Sequence, residues 1–529
     1  MSIARDIIEW LRTRFTPYPT PALRTMRKGP NGDSDENPLM MQFFTWDSRH
    51  PDMSWWQHFH AEVGPLSELG VTQVWLPPPN KAMVPEGQGY DAYDLWDLGE
   101  FEQKGTTATR WGTKQQLLEA VAAARNAGID VLIDAVLNHK LGADRTEKFL
   151  AVPVDPNNRL KDLGPPKEIE GWTAFDFPGR NGKYSELKWT HEHFSGLDWD
   201  HATKTKGVFR IVSDKHKGWS KHVDKELGNY DYLLGIDIDH RHPDVRKDLL
   251  KWGEWVLETT GASGFRLDAI KHMDRKFLLD FIRNVRKMEG RGDLFAVAEY
   301  WSANVELIKP YIRTFEGLIS FFDVPLHHKF HEASKAGPAF DLRTILNGSV
   351  VQCRPQDAVT FVDNHEQIGQ TLQSWVDSSF KLQAYALILL RQEGYPCVFY
   401  GDLYPNKECY DEKVAAGLRQ LMLARKKFAY GIQRDYFREK NCIGFVREGN
   451  ARHPGGCAVL ISNSIGAHAD HPNMAPHTIR MNVGKSKGSG KYRNFLDPEA
   501  QEVETDAKGW GDFTCPRGSL SVWVQVQHE

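Results

Sequence analysis

Eight short apolar runs, with helical segments between them, are the feature that most constrains the fold of this chain. The runs are Met40–Phe44, Val71–Pro77, Asp130–Val136, Gly264–Ile270, Leu294–Tyr300, Leu318–Phe322, Ala358–Val362 and Cys397–Gly401. Amphipathic segments of helical periodicity, such as Thr113–Ala127 and Asp244–Thr260, lie between them. A regular alternation of strands and helices predicts an α/β fold with a parallel sheet, and eight repeats predict a (β/α)₈ TIM barrel.

Two parts of the chain fall outside this alternation. Residues 139–235, after the third run, form too long a connection for an ordinary loop and are rich in Gly, Pro, Trp and His, which predicts an inserted β-rich subdomain. In residues 433–529, short β-rich runs alternate with turn residues, which predicts a C-terminal antiparallel β-sandwich. Residues 1–138 and 236–432 are therefore assigned to the barrel, with residues 1–37 as an N-terminal extension.

Four of the apolar runs lead into residues that can carry chemistry. They read DVLIDAVLNH (Asp130–His139), GFRLDAIKH (Gly264–His272), LFAVAEYW (Leu294–Trp301) and AVTFVDNHE (Ala358–Glu366). The carboxyl ends of parallel barrel strands form one face, where polar residues from different strands converge. The sequence therefore predicts an active site at that face.

The carboxylates of these segments have different predicted environments. Arg266 and Asp268 lie on the same side of a strand, so the guanidinium is expected to lower the pKa of Asp268 and keep it ionised, although a structural salt bridge has the same pattern. Apolar and aromatic neighbours are expected to raise the pKa of Glu299. Such a pair predicts the nucleophile and the general acid of a retaining glycosidase, about 5–5.5 Å apart. Asp363 is a third candidate, for which chemistry alone gives no single role.

In this order and spacing, the four segments resemble the signature regions of glycoside hydrolase family 13. The closer similarity is to α-amylases of the liquefying bacterial type and their intracellular fungal relatives, and further segments carry it, among them LMMQFFTWD, VTQVWLPPPNK, GYDAYDLWDLGEF, GNYDYLLGIDIDHRHPDV and YPCVFYGD. The resemblance implies retaining endo-hydrolysis of α-1,4-glucosidic bonds in starch, glycogen or maltooligosaccharides.

The resemblance also implies roles for individual residues. Asp268 would be the nucleophile, Glu299 the acid/base and Asp363 the transition-state stabiliser. The implied substrate-binding residues are Tyr90, His139, Arg266, Lys271, His272 and His365. For the histidines and for Tyr90, a packed structural role is the alternative.

A calcium site follows from the same resemblance. Its implied ligands are Asn138, Asp231, Asp237 and the backbone carbonyl of His272. Liquefying-type relatives hold further metal ions with additional aspartates, and this chain has Ser195 and Ser220 at two of the aligned positions. A hydroxyl is a poorer ligand for calcium than a carboxylate. The expectation is therefore one calcium ion and no metal cluster.

Two alternative functions remain open from the sequence. A 4-α-glucanotransferase, acting on maltooligosaccharides or on primers for cell-wall glucan, would use the same residues and differ in its acceptor. A catalytically inactive glucan-binding protein is disfavoured, because all three predicted carboxylates are present.

Composition excludes several classes of partner. A net charge of −4 over 529 residues indicates no nucleic-acid or membrane binding. Met1–Phe15 alternates apolar and charged residues, unlike a signal peptide, and no apolar run reaches the length of a membrane span. None of the six cysteines lies in a C-x-x-C motif, which indicates reduced thiols. We therefore expect a cytoplasmic, monomeric protein.

Overall fold

The computed structural model describes residues 37–215, 217–366, 373–465 and 475–526. Apart from Asn37, the predicted N-terminal extension lies outside the described residues.

Eight parallel strands close into a barrel, and each of them lies at one of the runs predicted from the sequence. The strands are β1 (Met40–Gln42), β2 (Gln73–Trp75), β3 (Asp130–Ala135), β4 (Gly264–Leu267), β5 (Phe295–Ala298), β6 (Ser320–Phe322), β7 (Ala358–Phe361) and β8 (Tyr395–Phe399). Their order around the barrel follows the chain, and Met40 of β1 lies opposite Cys397 of β8. The predicted (β/α)₈ barrel is therefore confirmed.

Helices follow the barrel strands in the chain and pack around them. They are α1 (Trp55–Glu68), α2 (Lys114–Asn126), α3 (Pro243–Thr260), α4 (Arg275–Val285), α5 (Val305–Phe315), α6 (Val324–Ala336), α7 (Val350–Cys353), α8 (Ser378–Leu390), α9 (Tyr400–Leu403) and α10 (Glu412–Phe428). Ser54 and Thr113 begin α1 and α2 with capping boxes, which satisfy N–H groups that have no partner inside the helix. One large apolar core joins strands and helices.

Close packing also fixes the start of β4. A side-chain carbon added at Gly264 would lie 1.9 Å from the carbonyl oxygen of Phe295. No real side chain tolerates that contact, so only glycine allows β4 to approach β5 this closely.

A seven-stranded sheet lies between β3 and β4 in the chain. Its strands are His139–Lys140, Arg145–Asp155, Asn158–Asp162, Lys167–Ala174, Phe194–Asp200, Thr205–Ile211 and Ile236–Ile238. The first and last of these pair with each other, with His139 opposite Asp237. The two ends of the β-rich insertion therefore meet beside the barrel. A separate two-stranded sheet is formed by Lys81–Ala82 and Ala92–Asp94.

The C-terminal part forms two antiparallel sheets. The larger contains Gln433–Glu439, Cys442–Arg447, Cys457–Ser462, Lys491–Asn494, Val503–Glu504 and Leu520–Gln525, and the smaller contains His477–Asn482 and Trp510–Cys515. Apolar residues of both sheets, among them Leu460, Trp523, Met481 and Phe513, share one buried core. This is the packing of a β-sandwich.

Within the described ranges, no helix is both long and apolar enough to cross a membrane.

Candidate active site

Three neighbouring barrel strands deliver the charged groups of the site. Arg266 in β4 lies beside Asp134 in β3, because the two residues are register partners. Asp268 and Glu299 are the first residues after β4 and β5. All four side chains therefore lie at the carboxyl ends of the strands, the face at which barrel enzymes carry their active sites.

The Arg266 guanidinium joins these groups. It donates hydrogen bonds to Asp134 (2.8 Å), to Asp268 (2.6 Å) and to Glu299. It also lies over the ring of Trp75, with its central carbon 4.8 Å from the ring centroid. Arg266 is 1% exposed, so these contacts replace its lost hydration. One cation thus holds both predicted catalytic carboxylates.

The direction of the Asp268 pKa shift corrects the prediction from the sequence. Burial raises the pKa of Asp268 to about 6, although Arg266 opposes the shift. The negative charge of Asp134 raises the pKa of Asp268 further. The prediction from the sequence did not include Asp134. Burial also raises the pKa of Glu299, in the predicted direction, and the nearby Asp268 adds to that rise. Asp268 is therefore ionised only above about pH 6.

Three aromatic rings lie together beside these groups. The ring of Tyr90 is nearly parallel to those of Trp46 and His365, at centroid distances of 5.8 and 5.1 Å. The Tyr90 hydroxyl donates to Asp134 at 2.7 Å, which fixes the ring next to the ionic cluster. Burial lowers the pKa of His365 well below its usual value, and no described residue hydrogen-bonds its Nδ1 atom. The cluster thus offers ring faces and one free imidazole nitrogen.

The other predicted binding residues contact the protein itself. Burial lowers the pKa of His139 to about 4, and its Nε2–H donates to the Tyr90 carbonyl oxygen at 2.8 Å. Lys271 forms an ion pair with Glu226 of the β-rich insertion. His272 donates from Nδ1 to the Tyr230 carbonyl oxygen at 2.9 Å, and burial lowers its pKa to about 3. His139 therefore supports Tyr90, while Lys271 and His272 border the insertion.

Asp363, the third predicted carboxylate, is buried and bonded to the protein. It borders the same cavity as Arg266 and Glu299. Its carboxylate, however, forms an ion pair with Lys381 at 3.1 Å and accepts from the backbone N–H of Val376 at 3.3 and 3.4 Å. Its side chain is 0% exposed. Asp363 is therefore a bonded, internal carboxylate.

Glu366 lies three residues after Asp363. Its negative charge adds to the rise in the pKa of Asp268. The backbone N–H of Glu366 donates to the Asn364 side chain at 3.1 Å, so the chain turns between Asp363 and Glu366.

Two of the predicted calcium ligands, Asn138 and Asp237, lie where the β-rich insertion leaves and rejoins the barrel. Asp237 lies opposite His139 in the sheet, and the Ile238 N–H donates to the Asn138 carbonyl oxygen at 3.0 Å. Among the described residues, the side-chain oxygens Asn138 Oδ1 and Asp237 Oδ1 are buried without a hydrogen-bond partner. Burial raises the pKa of Asp231 to about 7, and burial together with Asp231 raises that of Asp237. These oxygens fit a bound cation, because calcium is held by carboxylate, amide and carbonyl oxygens.

The two serines that replace aspartates also lie at this position. Ser195 donates its hydroxyl to Asp237, and Ser220 donates its hydroxyl to Asp274 at 2.8 Å. The guanidinium of Arg241 donates to both oxygens of Asp239, at 2.7 and 3.0 Å. Serine hydroxyls and an arginine therefore donate hydrogen bonds to three acidic groups in this region, Asp237, Asp274 and Asp239.

Sequence reasoning missed three residues of the site, Trp46, Trp75 and Asp134. Asp134 had a detectable signal, because it is a carboxylate between Ile133 and Ala135 at the end of an apolar run. Trp46 lies in a loop, where strand periodicity gives no orientation.

Comparisons with known proteins agree with this geometry. Residues 63–439 match the family described as alpha amylase, catalytic domain. The chain is 43% identical over 490 residues to an alpha-amylase of Geobacillus stearothermophilus, covering 92% of this chain and 87% of the relative. It is 41% identical over 502 residues to the cytoplasmic alpha-amylase of Escherichia coli (strain K12), covering 92% and 99%.

Solved structures show the same fold. An alpha-amylase from Geobacillus thermoleovorans, complexed with acarbose, superposes with a TM-score of 0.60 at 17% identity, over 94% of this chain and 99% of that one. An alpha-amylase from Malbranchea cinnamomea superposes with a TM-score of 0.58 at 13% identity, over 93% and 96%.

The electrostatics of the site predict an unusual titration. We expect the Asp268 carboxyl group to titrate near pH 6, because burial outweighs the effect of Arg266. Carboxyl ¹³C NMR difference spectra between the protein and its Asp268→Asn variant would isolate this group. Exposed Asp341, whose pKa is lowered by a hydrogen bond from Arg343, is the control. An Asp268 midpoint as low as that of Asp341 would show that the guanidinium outweighs burial.

Proposed function

The chain belongs to the α-amylase family of glycoside hydrolases, and from this membership we propose how it cleaves internal α-1,4-glucosidic bonds in starch, glycogen or maltooligosaccharides. The observation that carries the proposal is the joint binding of Asp268 and Glu299 by Arg266. A single buried cation holds two carboxylates that must act on opposite sides of one bond.

Asp268 is the proposed nucleophile. Above about pH 6 its carboxylate is ionised and attacks the anomeric carbon of the bound glucose unit, so that a bond from carbon to carboxylate oxygen replaces the glycosidic bond. Arg266 donates to one carboxylate oxygen and leaves the other for the attack. The product of this step is a covalent glycosyl-enzyme.

Glu299 is the proposed acid and base. Its raised pKa keeps a proton on the carboxyl group, which is given to the departing oxygen as the glycosidic bond breaks. The carboxylate formed then takes a proton from water, which attacks the anomeric carbon and releases Asp268. Two displacements restore the α configuration.

Asp363 is the proposed transition-state stabiliser. Positive charge develops on the sugar ring in the transition state, and a fixed carboxylate near the reacting carbon stabilises that charge. Asp363 borders the same cavity as Arg266 and Glu299, which supports this role. The ion pair with Lys381 and the backbone N–H of Val376 hold its carboxylate in place.

The aromatic cluster binds the sugar at the cleavage point. The faces of Trp46 and Tyr90 suit stacking on a glucose ring, and the free Nδ1 atom of His365 suits a sugar hydroxyl. Lys271 and His272 lie on the side of the β-rich insertion and are assigned to the leaving-group sugar. His139 is assigned an indirect role, because its Nε2–H holds the Tyr90 backbone.

A second cleft supports binding of long chains. It has a volume of about 390 Å³, and its lining includes Trp172 and Trp199 of the β-rich insertion together with Met83. The two tryptophans are 42% and 37% exposed. Exposed indole faces beside a cleft suit successive glucose units, which favours attack within a chain over attack at its end.

Calcium is the proposed cofactor. Asn138, Asp231, Asp237 and the His272 carbonyl would hold one ion, which would supply the positive charge that the buried acids lack. The ion is structural in this proposal, since it would join the β-rich insertion to the barrel. We further assign the enzyme to the cytoplasm, as for the Escherichia coli relative by its name, and to a monomer without nucleic-acid or membrane partners.

The reaction is tested by its products. From maltoheptaose and soluble starch we expect early products that are shorter than the substrate and in the α form, because hydrolysis proceeds by two displacements. Proton NMR before mutarotation, with chromatography of chain lengths, measures both properties. The Asp268→Asn variant should give neither product. A β signal appearing first would contradict retention, and products mainly longer than maltoheptaose would favour the glucanotransferase.

The third carboxylate is tested by a matched pair of variants. Asp363→Asn should lower kcat by about 10²–10³-fold, the usual cost of losing one electrostatic stabiliser. The control is Asp97→Asn, which changes another buried carboxylate paired with a buried lysine, Lys81. It should lower the melting temperature and leave kcat nearly unchanged. Equal losses of kcat in the two variants would show that Asp363 acts through stability alone.

The metal site is tested by stoichiometry and stability. We expect one calcium ion per chain, and chelation should lower the melting temperature because the ion binds only the folded protein. Asp237→Asn should remove both the ion and the effect of the chelator. Asp162→Asn, an exposed carboxylate of the same β-rich insertion, should retain both. Two or more calcium equivalents per chain would contradict the single-ion prediction.

A further inference from the structure

Arg241 is a largely buried arginine that neither the proposed mechanism nor the proposed calcium site uses. It lies between the last strand of the β-rich insertion, Ile236–Ile238, and the first turn of α3. Its side chain is 20% exposed. A charged group that has lost much of its hydration needs compensating contacts. The contacts of Arg241 are with acids at the junction between the insertion and the barrel.

Asp239 accepts three hydrogen bonds from Arg241. Its Oδ1 atom accepts from the backbone N–H at 2.9 Å and from the Nε–H at 2.7 Å, and its Oδ2 atom accepts from Nη2 at 3.0 Å. Asp239 is itself buried, and its own N–H donates to the His193 carbonyl oxygen at 3.0 Å. Bidentate pairing with arginine is among the strongest ion pairs that side chains form, and it fixes the orientation of the carboxylate.

Four buried acids, which we call the junction acids, lie in this region. They are Asp231, Asp237, Asp239 and Asp274. Burial by itself would lower the pKa of Arg241, but the hydrogen bond and the charge of Asp239 raise it, and the charges of Asp231 and Asp274 add to the rise. Ser220 links two junction acids, because its N–H donates to Asp231 and its hydroxyl to Asp274, each at 2.8 Å. Arg241 is therefore a positive charge within a group of buried carboxylates.

The junction acids differ in how their charge is compensated. Asp239 has the guanidinium. Asp274 accepts from the Ser220 hydroxyl and from the N–H groups of Lys276 and Phe277, at 2.8 and 3.2 Å, which begin α4. Asp237, in contrast, has one oxygen without a hydrogen-bond donor among the described residues. The protein thus supplies a full positive charge at Asp239 and leaves an oxygen of Asp237 for an external cation.

A divalent ion beside Asp239 would meet two obstacles. Both oxygens of that carboxylate already accept from Arg241, and calcium needs such oxygens as ligands. The guanidinium would also repel the ion, and the repulsion of like charges is strongest where water does not screen them. Arg241 therefore disfavours a cation at Asp239 by its contacts and by its charge.

We propose that the Arg241 guanidinium is a built-in cation that takes the place of a metal ion at Asp239 and so limits the junction acids to one calcium ion. The inference rests on the calcium site proposed above. It makes Arg241 the residue that sets the metal stoichiometry of the junction. Removal of its charge would free the Asp239 carboxylate for a second calcium ion.

Calcium binding by charge variants tests this role. Arg241→Gln should bind two calcium ions per chain where the wild-type chain binds one. The rise of its melting temperature with the logarithm of calcium concentration should be about twofold steeper, because each ion that binds only the folded protein adds its own stabilisation. Arg241→Lys keeps the charge and should still bind one ion. Equilibrium dialysis with metal analysis gives the stoichiometry, and calorimetry over a series of calcium concentrations gives the slope.

Two further variants serve as controls. The double variant Arg241→Gln with Asp239→Asn lacks both charges of the pair and should return to one calcium ion, because the proposed second ion needs the Asp239 carboxylate. It also provides a reference if Arg241→Gln alone folds only in the presence of calcium. Arg246→Gln removes a neighbouring arginine of α3 that pairs with the half-exposed Asp280, and it should keep the wild-type stoichiometry and slope.

The outcomes separate this inference from the calcium site on which it rests. One calcium ion in both the wild-type chain and Arg241→Gln would overturn the role of Arg241 and leave the calcium site intact. A wild-type chain that binds none would remove the proposed site, and a gain of one ion in Arg241→Gln would then still support exclusion by the guanidinium. Two ions in the wild-type chain would contradict both proposals.

Discussion

The buried guanidinium of Arg266 is the interaction on which the rest of the site depends. It joins Asp134 of β3, Asp268 after β4 and Glu299 after β5, and so it links three adjacent strands at their carboxyl ends. One cation facing three carboxylates leaves an excess of negative charge in a buried place. That excess favours the protonated form of the carboxyl groups, and it contributes to the raised pKa values of Asp268 and Glu299. The contacts that fix the barrel end therefore also create a proton donor.

The barrel could be predicted from the sequence because its strands are short apolar runs in a regular order. Each of the eight predicted runs overlaps a strand, and the core that the strands form requires apolar side chains whatever residues follow the strands. Helix α6 was not predicted. Its sequence, VPLHHKFHEASKA, contains a proline and three histidines, which obscure the helical periodicity, while the proline is tolerated because it lies in the first turn.

The site was less predictable, because its electrostatics depend on contacts between distant parts of the chain. The pKa of Asp268 follows from burial and from Asp134, which lies 134 residues earlier. The charge that balances Asp363 comes from Lys381, which lies on a later helix. A strand pattern shows that FVDNHE ends a strand, but it does not show which acid meets a lysine. The predicted calcium ligands likewise come from separate segments of the chain.

The buried acids around the barrel mouth differ in where their positive charge comes from. Arg266 supplies it to the catalytic cluster, Lys381 to Asp363 and Asp402, and Arg241 to Asp239. Asp231 raises the pKa of its buried neighbour Asp237, and among the described residues one oxygen of Asp237 has no hydrogen-bond donor. Clusters neutralised by a side chain are fixed when the chain folds, whereas a pair without one needs a proton or an ion from solution. The catalytic cluster thus has its positive charge within the protein, whereas Asp237 at the junction of the insertion is left to a proton or an ion from solution. With the proposed calcium ion, the stability of that junction would vary with calcium concentration, while the charge balance at Asp268 would not.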